Sequence, residues 1–165
     1  DPGAAAPRSV TLNAQALAST PVQNVRTLPA PHQHVGYLLF NDHIATAEPL
    51  LIDAIRQLKS AGVTELVLDL RYNGGGSVSV SRNLASMLGG ANLNGQVFAG
   101  LRYNEKNAAN NFNYTFTSST NTLPTAPLSG ISRVFFITSG RINSSFLVLL
   151  PPVARPVQSS LLINI

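Results

Sequence analysis

The chain has 165 residues, of which 44% are hydrophobic, enough for one domain with a core of its own. Its 11 Lys and Arg against 7 Asp and Glu give a formal charge of +4, but the bases are scattered without a run or interleaved aromatics, which argues against a nucleic-acid surface. There is no Cys, which excludes a disulfide framework, a thiolate metal site and a Cys nucleophile, and no apolar run approaches the length of a membrane span.

Residues 1–34 read as a linker. Asp1 to Pro7 is rich in Ala and Pro, Val10 to Leu12 suggests a short strand, and Thr27 to His34 is a Pro-containing connection. Met87 is the only Met, so the chain is expected to be a processed product or a fragment. Ordered structure is expected from Val35 to Phe40, a strand. A helix follows. Thr46 suits its N-cap, Glu48 and Pro49 its first turn, and Gly62 its C-cap. Leu50, Leu51, Ala54, Ile55, Leu58 and Ala61 recur at helical spacing and predict its apolar face. Val63 to Tyr72 is a nearly continuous apolar run, as in a strand covered on both faces.

Gly74-Gly75-Gly76 then turns the chain, and Ser79 to Leu88 reads as a helix closed by Gly89-Gly90. Gln96 to Tyr103 reads as a strand. Asn104 to Pro127 is rich in Asn, Ser and Thr, with Phe112, Tyr114 and Phe116 alternating, and predicts a long loop or a weak hairpin. Arg133 to Ser139 is the next buried strand. A helix is expected to start at Ser144 and to be interrupted by Pro151-Pro152. Alternating strands and helices with apolar strands place the chain in the α/β class. The predicted core is Leu39, Leu51, Ile55, Leu58, Leu66, Leu68, Leu70, Val134, Phe136 and Ile137.

The most informative stretch is Leu68-Asp69-Leu70-Arg71-Tyr72-Asn73-Gly74-Gly75-Gly76. A backbone that leaves a buried strand through consecutive glycines turns sharply and exposes N–H groups. Such groups suit an anion, or the negative oxygen that develops in acyl transfer. It is not a phosphate-binding P-loop, because no Gly-Lys-Ser/Thr follows. Asp69 and Arg71 suit a structural ion pair, or bonds to the backbone, better than chemistry. His32 and His34 lie in a Pro-flanked connection without a carboxylate cluster, so no metal and no cofactor are expected. His43 reads as a loop residue before the first helix.

These residues carry a resemblance. Val35 to Asn41, the Ala47–Gly62 helix, the Asp-Leu-Arg-x-Asn-x-Gly-Gly element and Arg133 to Arg141 occur in the order found in tail-specific, or C-terminal-processing, serine peptidases. The chain resembles their bacterial lipoprotein-like members over about residues 35 to 145. The resemblance implies a ClpP/crotonase-like core of β-β-α units, incomplete at the C-terminus here. It also implies a polypeptide substrate, a Ser/Lys dyad, a PDZ domain upstream of residue 1, and a periplasmic or cell-envelope location. The family pattern Gly-Arg-Thr-x-Ser-Ala-Ser-Glu falls on Gly140-Arg141-Ile142-Asn143-Ser144-Ser145-Phe146-Leu147. That places the nucleophile at Ser144. The oxyanion hole would combine the N–H of Ser145 with that of Gly75 or Gly76.

The match then stops. Phe146 and Leu147 replace the family's Ser and Glu, and no Lys follows Lys106 to serve as base. Two readings fit: a reading frame truncated or shifted after about Ile142, or a decayed homologue. Without a base the serine hydroxyl is a weak nucleophile, so this chain is expected to be inactive in proteolysis. A non-catalytic peptide-binding module on the same fold is the alternative. A crotonase-like acyl-thioester enzyme also uses backbone amides as its oxyanion hole, but the Asp-Leu-Arg-x-Asn-x-Gly-Gly element and Ser144 favour the peptidase lineage.

Overall fold

The computed structural model describes residues 10–14, 19–117 and 131–138. Its centre is a four-stranded sheet in the order β1-β2-β3-β6, formed by β1 (Val22–Thr27), β2 (Val35–Phe40), β3 (Glu65–Asp69) and β6 (Arg133–Ile137). β2, β3 and β6 run parallel and β1 is antiparallel to β2. The parallel strands are joined by crossovers that carry helices, as parallel pairing requires.

β1 corrects one expectation. Residues 1–34 read as a linker, yet Val22–Thr27 pairs with β2 through Val22↔Phe40 and Thr27↔Gly36, with a bulge between Gln23 and Arg26. VQNVRT is short and polar, and Asn24 takes a positive φ of 55°, so no strand period survives in the sequence. Residues 10–14, where a short strand was expected, have no regular secondary structure.

α1 (Ala47–Ser60) packs on the sheet through Leu51, Ile52, Ala54, Ile55 and Leu58. Leu51, Ala54, Ile55 and Leu58 are spaced i, i+3, i+4, i+7 and so share one face. Leu50 and Ala61, expected on that face, are exposed. Leu50 precedes the stripe by one residue, a rotation of about 100° away from it. Thr46 occupies the N-cap position without a side-chain capping bond. The helix closes through Ala61, and Gly62 follows with φ 74°. Close approach of α1 to β2 is allowed by Gly36: a Cβ there would meet Leu58 and the Val63 side chain at 3.0 Å.

The core lies between this helix, α2 (Val78–Gly89) and one face of the sheet. Leu38 and Phe40 from β2, Leu66 and Leu68 from β3, and Val80, Leu84, Met87 and Leu88 from α2 are all buried in it. Each such side chain contributes about 1.5–3 kcal/mol on leaving water. Asn83 of α2 donates to the Glu48 carboxylate at 2.9 Å and ties the two helices.

A second unit is the hairpin of β4 (Val97–Leu101) and β5 (Phe112–Thr115), antiparallel with Leu101 opposite Phe112. β4 is the expected strand, but β5, from the segment expected to be a long loop or a weak hairpin, pairs with β4. A 3-10 segment, Glu105–Asn110, fills the connection, and residues 118–127 of that segment lie outside the described residues. Phe116, Leu93 and Ala85 form a small cluster, flanked by Phe98, that anchors the hairpin to α2. The Thr117 N–H also donates to the Ser86 hydroxyl at 3.2 Å.

The core list needs correction at β6. Leu39, Leu51, Ile55, Leu58, Leu66 and Leu68 are buried as expected. Leu70 and Val134 are half-buried, and Phe136 and Ile137 are exposed. Among the described residues, β6 pairs with β3 alone.

Candidate functional site

The parallel register brings the carboxyl ends of β2, β3 and β6 to one end of the sheet, with Leu39 opposite Asp69 and Asp69 opposite Ile137. In open α/β sheets, ligands bind beyond this end. β3 and β6, which the resemblance expects as neighbouring strands ending at Leu70 and Thr138, do lie side by side, and the Leu70 N–H extends the ladder to the Ile137 carbonyl at 2.8 Å. The chain leaves β3 there and returns through Arg71 to Ser77.

Asp69 is the first fixed point. Its side chain is 0% exposed, and its oxygens are filled from several sides. Arg71 donates through Nε at 3.0 Å and Nη2 at 2.7 Å, and through its backbone N–H at 3.1 Å. The Tyr37 hydroxyl donates at 2.6 Å. The Arg71 guanidinium holds the Asp69 carboxyl down at about 2 against the cost of its burial, while the same carboxylate pushes the Tyr37 hydroxyl up. This is the structural ion pair that the sequence suggested. A buried carboxylate needs such partners, and it locks the exit from β3.

Asn73 is the second fixed point. Its Nδ2 donates to the Phe40 carbonyl at 2.9 Å. Its Oδ1 accepts from the Gly75 N–H at 2.8 Å and lies 2.8 Å from His43 Nδ1. One side chain thus ties the end of β2, the loop before α1 and the glycine turn. His43 lies in the loop before α1, as expected, but it is buried: it is 1% exposed, and its ring packs against that of Phe40, centroids 4.4 Å apart and planes tilted by 59°. Burial lowers its pKa, so it is held neutral. The sequence offered no apolar period around His43 that would have announced its burial. Asn73 was visible within the Asp-Leu-Arg-x-Asn-x-Gly-Gly element, though without a role.

The glycine turn lies on His43. The His43 N–H donates to the Gly75 carbonyl at 3.0 Å, and the His43 carbonyl accepts from the Ser77 N–H at 2.8 Å, a parallel bridge centred on Gly76. In such a bridge the central residue turns its own N–H and carbonyl to the opposite side. Gly76 is exposed, whereas Gly75 is buried. Gly76 has φ 131°, and a Cβ there would lie 2.7 Å from the His43 carbonyl oxygen. Only glycine fits without moving the bridge. α2 begins directly afterwards, with Ser77 at its N-cap, so its unpaired N–H groups add positive potential beside Gly76.

Of the predicted oxyanion residues, Gly75 and Gly76 are therefore at the carboxyl end of the sheet, with the Gly75 N–H turned inward to Asn73. Ser144 and Ser145 lie outside the described residues, as does the helix expected from Ser144. The rings of His32 and His34 are 6.3 Å apart in the exposed connection before β2. Among the described residues, no three His, Cys, Asp or Glu side chains cluster as a metal-binding group.

Comparison with known proteins agrees with this geometry. The model of peptidase family S41 matches residues 34–140. The chain is similar to a crystal structure described as an S41 protease from Bacteroides fragilis NCTC 9343, at 31% identity and a TM-score of 0.67. The similarity covers 79% of this chain and 34% of the other, so the chain spans about a third of that protein's length. No curated protein matches it.

Proposed function

The chain belongs to peptidase family S41, and on that premise we propose that it is the core of a serine endopeptidase that acts on unstructured polypeptide. Its α/β fold is ClpP/crotonase-like. The observation that carries the reading is the glycine turn: an exposed Gly76 whose N–H faces away from its bridge, at the carboxyl end of a parallel sheet and the start of a helix. An oxyanion donor needs this placement, because charge that develops in the transition state must meet a dipole already in position.

In this proposal Ser144 attacks the scissile carbonyl and the Gly76 and Ser145 N–H groups hold the tetrahedral oxygen. The serine proton must pass to a base. A lysine serves in the tail-specific peptidases that the sequence resembles, and none follows Lys106 here. His43 does not substitute, because its ring is buried and its Nδ1 is engaged by Asn73. The 165 residues alone are therefore inactive in this proposal. A non-catalytic peptide-binding module is the second reading, favoured by the same missing lysine. A cell-envelope location and an upstream PDZ domain belong to the proposal on the resemblance alone.

The test is hydrolysis of a flexible fluorogenic peptide, with a fluorophosphonate probe as the second readout. The 165-residue chain should show neither turnover nor labelling. A longer product of the same gene that carries a downstream lysine should show both and lose them on replacement of the serine at position 144. Turnover by the 165-residue chain that is lost on Ser144→Ala would show that another group supplies the base.

A further inference from the structure

We propose that Asn73 and His43 are a positioning pair: by drawing the Gly75 amide into the protein, they present the adjacent Gly76 amide to the substrate oxygen. The inference rests on the reading of Gly76 as an oxyanion donor and names what orients it.

Glycine alone cannot do this. Gly75 and Gly76 have φ values of 93° and 131°, and without Cβ atoms the peptide planes around them rotate at little cost. Either amide could then face the substrate. Asn73 removes the ambiguity. Its Nδ2 faces the Phe40 carbonyl, which can only accept, so the amide end of the side chain is fixed. Oδ1 is then the atom that meets the Gly75 N–H at 2.8 Å. His43 Nδ1 lies 2.8 Å from the same oxygen and must carry a proton to bond it. The hydrogen-bond network thus assigns the Nδ1–H tautomer to His43, in the neutral state that burial favours.

His43 completes the arrangement through its backbone. It binds the Gly75 carbonyl and the Ser77 N–H, the groups on either side of Gly76. The pair thus holds both flanks of Gly76 and leaves the groups of Gly76 itself on the outer side. An amide held this way needs no reorganisation as negative charge develops, which is the source of oxyanion stabilisation.

The experiment is NMR on the 15N-labelled 165-residue chain, read at the His43 ring nitrogens and the Gly75 and Gly76 amides. The probes are N-acetyl-dialanine with a free carboxylate and the same peptide as its amide. In the wild-type chain, His43 Nδ1 should be the protonated nitrogen. The Gly76 amide proton should move downfield with the carboxylate and stay with the amide. In Asn73→Ala the Gly76 response should weaken by tenfold or more in apparent affinity, and the His43 Nδ1–H signal should be lost to exchange. A wild-type Gly76 that ignores the carboxylate overturns the oxyanion reading and the pair with it. A wild-type response that Asn73→Ala leaves unchanged overturns the pair alone. An unprotonated Nδ1 in the wild-type chain also overturns the pair, whether or not Asn73→Ala folds.

Discussion

β3 and β6 lie side by side in the same sheet, paired from Glu65↔Arg133 to Asp69↔Ile137, and look alike as sequence: ELVLD and RVFFI. Their fates differ. Leu68 is 1% exposed and its partner Phe136 is 39% exposed. Leu68 has β2 on one side, β6 on the other and the helices above it, whereas β6 has β3 as its single partner among the described residues. Hydrophobic period reports that a segment is a strand. It does not report whether that strand has neighbours on both sides, and the contrast sets the order of effects expected from mutation.

The largest effect should come from the core side of the pair. Leu68→Ala should cost about 2–5 kcal/mol in urea unfolding, the range for a buried leucine. Phe136→Ala should cost no more than about 1 kcal/mol, the range of partly exposed positions. Equal costs at the two positions would mean that β6 is as enclosed as β3.

The next contrast lies within the glycine turn. Gly76→Ala should destabilise by more than about 1 kcal/mol, because a positive φ and a clash with a backbone oxygen act together. Gly74 has open space where a Cβ would stand, so Gly74→Ala should stay within about 0.5 kcal/mol. If the two substitutions prove alike, the bridge between His43 and Gly76 is not what constrains the turn.

A pH effect separates the buried exit of β3 from the exposed edge. Asp69 titrates at about 2 in the folded chain, below the value of about 3.9 expected when unfolded. The unfolded state therefore binds the proton first. The Asp69 contribution is complete above about pH 4 and is lost as pH falls toward about 2. Asp69→Asn should flatten this acid limb in unfolding measured from pH 5 to 2. His43 acts with the same sign at higher pH: its folded pKa is lowered, so its contribution declines as pH falls below about 6.5. An acid limb unchanged in Asp69→Asn would mean that Arg71 and Tyr37 do not hold the carboxylate as described.

The smallest effect should be at the start of the paired strands, where Arg133 bonds Glu65. The arginine is largely in solvent. A double-mutant cycle on this pair should give about 0–1 kcal/mol, because its arginine end is solvated although the Glu65 side chain is mostly covered. A larger coupling would place β6 in a drier setting than its exposed side chains indicate.

The sequence made β2, both helices and the glycine turn legible because each has a local signature. β2 is an uninterrupted apolar run, α1 repeats at helical spacing, and three glycines mark the turn. The pairing of β3 with β6 followed from the resemblance. β1 was missed because its stability comes from pairing with β2, a long-range contact that leaves no period in VQNVRT. At the site, Gly75 and Gly76 were legible as a pair, and their opposite orientations were not. That difference depends on Asn73 and His43, which lie 30 positions apart and meet only in the folded chain.

The most direct measurement of the central claim is amide hydrogen exchange at the two glycines of the turn, resolved by NMR in the native chain. Gly75 donates to a half-buried side chain and Gly76 faces outward. The Gly75 amide should therefore exchange at least tenfold more slowly than the Gly76 amide, and Asn73→Ala should remove the difference. A protected Gly76 beside a fast-exchanging Gly75 would contradict the account, because the outward donor at the end of β3 would then be the other glycine.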